Sequence, residues 1–223
     1  MNHKIHFLKL IQATDPLFPI GSFTLSNGME TYVQKGIITD QRSLLEFLNS
    51  YLSILTFNDL GFAAKAANGV DFVQLDELCV ASKVPYEIRL GSQKLCQRFL
   101  KTETALGEQA LLEEYLQKIS EQECGGCHCI AVGLLIRDMN TDVEQALSVY
   151  SYSLLSAMVN HAVKLIPLRQ LEGQAVLSKV IEKIPQSVCR AIQLKVEDLG
   201  ACGCGLDLRC MQHEVLYSRV YIS

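Results

Sequence analysis

The feature that most constrains this chain is a helical stripe. Val143, Leu147, Tyr150, Leu154, Met158, His161 and Leu165 recur at spacings of three and four, placing seven side chains on one face of a helix spanning residues 141–166. Thr141 and Glu144 form a candidate capping box at its start, and Pro167 ends it, because proline disfavours helical geometry at the residue before it. The same period recurs after Asp40, a candidate N-cap, where Leu44, Leu48, Tyr51 and Leu55 predict a long amphipathic helix over 41–68. It returns in Val176, Leu177, Val180, Ile181 and Ile184 ahead of Pro185, and the apolar residues of 5–11 predict a first helix. Further helices are predicted over 72–82, 86–106 and 108–120, with breaks at Gly69, Pro85 and Gly107. Alternating strand patterns are nearly absent. The expectation is an all-α, single-domain bundle of eight to ten helices over residues 1–223.

Composition narrows the function classes. A chain of 223 residues can bury roughly 70% of the surface exposed when unfolded, so neither disulfide nor metal is required to hold its core. With 24 acidic against 20 basic side chains and no basic stripe, it has no means of neutralising a phosphate backbone, which argues against nucleic acid. The uncharged run 145–163 has the length of a membrane span, but its serines, Asn160 and His161 would be costly in lipid, so it reads as a core helix. No signal peptide is evident and the nine cysteines are odd in number, so a cytoplasmic location with reduced thiols is expected.

Three segments break the helical regularity: ATDPLFPIGSF at 13–23, where Ser22 or Thr24 would cap the next helix; CGGCHC at 124–129; and DLGACGCGLDLRCMQHEVLYSRVYIS from Asp198. No phosphate cradle, dinucleotide fingerprint, nucleophile elbow or zincin motif occurs. Adjacent carboxylates such as Asp76-Glu77 and Glu113-Glu114 point different ways on a helix and read as solvated surface. Cys124, Cys127, His128 and Cys129 put four soft ligands within six residues; Cys202, Cys204, Cys210 and His213 form a second cluster whose spacing matches no common zinc module. No cofactor is required, but nickel, zinc and copper(I) all suit such ligands if the clusters bind metal. Cys79, Cys96 and Cys189 read as small apolar filler, and His161 as a hydrogen-bonded core histidine.

At these irregular segments the chain resembles the urease accessory protein UreF family. ATDPLFPIGSFTLSNGMETYVQKGII carries Pro16, Pro19, Gly21, Ser22, Gly28 and Glu30 in matching places, and EIRLGSQKLCQRFL carries Arg89 and Arg98. SAMVNHAVKLIPLRQLEGQ matches through Ser156, Pro167, Leu168, Gln170, Gly173 and Gln174; MQHEVLYSRVYIS matches through Met211, His213, Glu214, Tyr217, Ser218 and Arg219. The resemblance implies an all-α, non-enzymatic and usually homodimeric scaffold for nickel delivery. In that role it would bridge UreD (also called UreH) and the GTPase UreG on the urease apoprotein, with modulation of the GTPase also attributed to the family. Pro16, Pro19, Ser22, Glu30, Gln170, His213, Glu214, Tyr217 and Arg219 are the candidate partner-binding residues, and 198–223 the candidate partner-binding tail. For Pro16, Pro19 and Ser22 a purely structural role stands beside this one, as do, for Glu30, capping or pairing with a basic residue and, for the tail, a salt bridge docking it on its own domain. The chain departs from the family at Cys127, His128 and Cys129, and at Cys204 and Cys210, where one metal ion or one disulfide could couple the two loops. The alternative to the scaffold reading is accordingly a thiol-based metal-binding or redox protein.

Overall fold

The computed structural model of the chain describes residues 2–223, with side chains from residue 4 onward. Among the described residues there are twelve α-helices, two 3-10 turns and no strand, so the all-α expectation holds while the expected count of eight to ten is too low. The helices are α1 (Asn2–Thr14), α2 (Met29–Gln34), α3 (Gln41–Phe57), α4 (Asp59–Ala67), α5 (Phe72–Ser82), α6 (Tyr86–Leu106), α7 (Ala110–Ser120), α8 (His128–Asp138), α9 (Val143–Leu165), α10 (Gln170–Ile181), α11 (Ile184–Gln193) and α12 (Cys204–His213).

The extra helices have local causes. The helix predicted over 41–68 is split at Asn58, whose backbone leaves the helical region and whose Nδ2 donates to the carbonyls of Ile54 and Ala201, both at 3.0 Å. Pro185 stands within the first turn of α11, where its missing N–H costs nothing, so it starts a helix as well as following one. Asp40 caps α3 as expected, accepting from the Ser43 amide at 2.9 Å. Other caps are displaced. Asp142 rather than Thr141 caps α9, accepting from Gln145 at 2.8 Å, while the Thr141 hydroxyl turns back to the Ile136 carbonyl. Ser22 and Thr24 cap no α-helix; they form a 3-10 turn, and α2 starts only at Met29.

The helix that organises the interior is α8. Every side chain from Cys129 to Ile136 is buried, as is expected of a helix that is apolar all round. Its partner α4 is built from small residues, and the two backbones approach so closely at Gly133 that a Cβ there would lie 2.4 Å from the Ala63 carbonyl oxygen and 2.8 Å from the Ala66 Cβ. In an exposed helix Gly→Ala gains up to about 1 kcal/mol. Gly133→Ala is expected to do the reverse, lowering stability by about 2–3 kcal/mol in urea unfolding, because backbone cannot yield as a flexible side chain can. Buried apolar residues of α1 to α11 join one hydrophobic cluster, against which Leu206 of α12 packs.

Candidate functional site

The densest polar constellation lies where α2, α6, α12 and residues 214–223 meet. Gly28 opens α2 at φ +82°, and a Cβ there would strike the Cys210 Sγ at 2.7 Å, so only glycine lets α2 and α12 pack this tightly. That packing brings Glu30, at 1% exposure, against His213, which is fully buried. His213 Nε2 lies 3.1 Å from Glu30 Oε2, and its Nδ1 lies 2.7 Å from Glu87 Oε2 in the first turn of α6. Each ring nitrogen thus faces a carboxylate oxygen at hydrogen-bonding distance.

The segment after α12 is pinned onto this bracket. Arg219 Nη1 donates to Glu87 Oε1 at 2.5 Å, and the amides of Val220 and Tyr221 donate to Glu30 at 2.7 and 3.0 Å. Beyond them the Ile222 amide donates to the Thr24 carbonyl at 2.9 Å, and the Ser26 amide and hydroxyl to the Ser223 carbonyl at 2.5 and 2.6 Å. The Tyr221 ring lies 4.5 Å from that of His161, which is buried as expected, hydrogen-bonds the Phe23 carbonyl at 3.2 Å, and is held neutral by burial, its pKa down to about 4. Burial pushes the Glu30 carboxyl up, but the Val220 amide, His213 and the Tyr221 amide outweigh it and hold the group below its ordinary value.

The candidate partner residues therefore divide. Glu30 and His213 are internal and hold the strap that runs over them. Glu214, Tyr217 and Arg219 are exposed, and Val215, Val220 and Ile222 present apolar side chains alongside a fully exposed Tyr217. Pro19 and Gln170 are exposed, Pro16 and Ser22 half-buried; Ser22 Oγ reaches the Pro16 carbonyl at 3.4 Å, and Arg98 braces the same loop by donating to the Ile20 carbonyl at 3.0 Å. Glu87 and Ser26 were not anticipated, since neither carries a signal beyond its own helix terminus.

The two cysteine segments differ in exposure: the thiols of the first are buried, whereas Cys202 and Cys204 of the second are exposed. Among the described residues, no group of three or more His, Cys, Asp or Glu side chains is placed to hold a metal ion. Cys124, Cys127 and Cys129 are buried, and Cys129 packs its sulfur 3.6 Å from that of Cys79 on α5. The Cys79 thiol and burial keep Cys129 protonated, and burial pushes Cys124 and Cys210 to about 12. His128 opens α8 edge-on to Phe99, and burial lowers its pKa to about 4. The loop itself is tied by Asp76, which is 1% exposed and so not the solvated surface carboxylate expected. Asp76 accepts from the Gly125 and Gly126 amides at 2.6 and 3.1 Å and from the Tyr115 hydroxyl, which in turn accepts from the Cys127 amide at 2.7 Å. Beside this knot, a cleft of about 150 Å³ is lined by Tyr51, His128, Tyr150 and the largely buried Asp59–Lys83 pair, whose N–O distance is 3.0 Å.

Fold and site together define an all-helical protein whose distinguishing feature is a C-terminal strap clamped over a buried carboxylate–histidine–carboxylate bracket. The UreF family model matches residues 38–181, and the chain belongs to the UreF family of urease accessory proteins. It is 37% identical to the urease accessory protein UreF of Actinobacillus pleuropneumoniae serotype 5b (strain L20) over 221 residues, covering 96% of this chain and 97% of that protein. It is 34% identical to the protein of the same name from Haemophilus influenzae (strain PittEE), covering 96% and 94%. Identity to that of Bacillus sp. (strain TB-90) is 33% over 223 residues, covering 97% and 98%. No helix among the described residues is long and apolar enough to cross a membrane.

Proposed function

We propose that this chain is a non-catalytic scaffold of urease maturation, which as a homodimer holds UreD (UreH) and the GTPase UreG on the urease apoprotein while nickel is inserted, and modulates that GTPase. The observation that carries the reading is the strap: Val215, Tyr217, Val220 and Ile222 project outward from a segment whose backbone is fixed from beneath by Glu30, Thr24 and Ser26. Exposed aromatic and aliphatic groups on a pre-ordered segment bind a partner without a large ordering cost, and an exposed tyrosine beside an arginine is the composition of an interface hot spot.

The test is co-expression with UreD and UreG followed by size exclusion. The wild-type chain is expected to co-elute with both, and Tyr217→Ala to lose at least one partner while melting at the wild-type temperature, since Tyr217 buries nothing within its own fold. Failure of the wild-type chain to co-elute with either protein would overturn the reading.

A further inference from the structure

Seven of the nine cysteines are accounted for by packing or stand alone: Cys79, Cys96, Cys124, Cys127, Cys129 and Cys210 are buried, and Cys189 is exposed on α11. The remaining two are different. Cys202 and Cys204 are both exposed, both free, and their sulfurs lie 3.5 Å apart on the loop that enters α12. That spacing is far beyond a disulfide bond of about 2.05 Å; it is the contact distance of two free thiols, and exposed side chains this close can turn apart to hold one ion between them.

The loop holds the pair in place. The Gly200 amide donates to the Phe57 carbonyl at 3.0 Å, Asn58 grips the Ala201 carbonyl at 3.0 Å, and a Cβ on the intervening Gly203 would meet Ile54 Cδ1 at 2.9 Å. The backbone is thereby pressed against the junction of α3 and α4, with both thiols turned to solvent. Asp207, one turn into α12, accepts from the Cys202 thiol at 3.3 Å.

We propose that Cys202 and Cys204 form a surface dithiolate site for a soft monovalent d10 cation, copper(I). Two sulfurs without a third Cys or a His at hand fall short of the four ligands a structural zinc centre needs, whereas thiolate is the ligand type that selects copper(I). On binding, both thiol protons pass to solvent and the cation takes their place between the sulfurs, with no change in oxidation state. The site is independent of the scaffold role: a chain that fails to hold copper(I) can still gather its partners.

The experiment is an anaerobic competition in which the reduced full-length chain is mixed with copper(I) held by the chromophoric chelator bicinchoninate. The chain is expected to withdraw one copper(I) per molecule, with X-ray absorption showing sulfur neighbours. Cys202→Ser and Cys204→Ser should each abolish the withdrawal, while Cys189→Ser leaves it unchanged; all three positions are exposed, so far-UV circular dichroism should match the wild type. The proposal is overturned if the wild-type chain withdraws no copper(I), if the Cys202→Ser/Cys204→Ser chain withdraws as much as wild type, or if zinc(II) displaces copper(I) from the site.

Discussion

Glu30→Ala is expected to lower the stability of the fold by about 4 kcal/mol and to release the strap. The carboxylate is buried and answers His213 Nε2 and the amides of Val220 and Tyr221; its loss leaves a buried imidazole facing a void, and the buried Tyr221 amide and part-buried Val220 amide without an acceptor. Each donor that loses its acceptor in a buried setting costs about 1–3 kcal/mol, and three lose theirs together. Urea unfolding measures the total, and hydrogen exchange at the Val220 and Tyr221 amides identifies the strap as the part released. The pH dependence has a definite sign. Because the folded-state carboxyl titrates below its ordinary value near 4.5, the unfolded chain binds this proton more readily. The Glu30 contribution is therefore fully present above the ordinary value and is lost as pH falls through the lowered folded one. Glu30→Gln should flatten that acid limb. An acid limb identical in wild type and Glu30→Gln would show that the latch is not held by this charge.

Asp76→Ala is expected to cost a similar amount, about 4 kcal/mol, by another route. Three donors lose their acceptor together, the part-buried Gly125 amide and the buried Gly126 amide and Tyr115 hydroxyl, and each buried orphan costs about 1–3 kcal/mol. Gly126 makes the knot unforgiving, because its φ of +89° exists only to aim its amide inward. Asp76→Asn should recover part of the loss through its remaining carbonyl oxygen. The local signature is thiol reactivity: Cys124 and Cys127, buried and protonated in the wild type, should become open to alkylation in Asp76→Ala well below the global unfolding transition. Retention of wild-type alkylation rates would argue that Asp76 is not what closes the loop.

The helices were legible wherever a stripe faced one side. Breaks at Gly69, Pro85 and Gly107 bounded others: the helices expected over 72–82 and 86–106 are α5 and α6 to the residue, and Asp40 caps α3. What escaped was of two kinds. The central helix α8 has no stripe, because it is buried on all sides, and a continuous apolar run carries no periodicity from which to read a face. The site, likewise, is made by pairs distant in the chain. Glu30 and His213 both stand out as single residues, yet nothing local to either says that they meet each other, or that Glu87 closes the bracket. Asp76 was misread for the same reason: a carboxylate on a helix looks solvated until the loop that needs it is seen. The cysteine segments were legible as unusual, but burial separates the thiols that fill the core from the pair that faces solvent.

The strap also bears on how the chain is made. Glu30 belongs to the early part of the sequence, and its partners at Val220 and Tyr221 lie 190 and 191 residues further on. Contacts of such separation form late, after the closure of intervening loops has been met by other packing. During synthesis from the N-terminus, α2 must therefore wait with an unanswered carboxylate until the strap emerges. A chain interrupted before His213 leaves that carboxylate without the partners that answer it, so closure of the N-terminal part of the fold awaits residues near position 220.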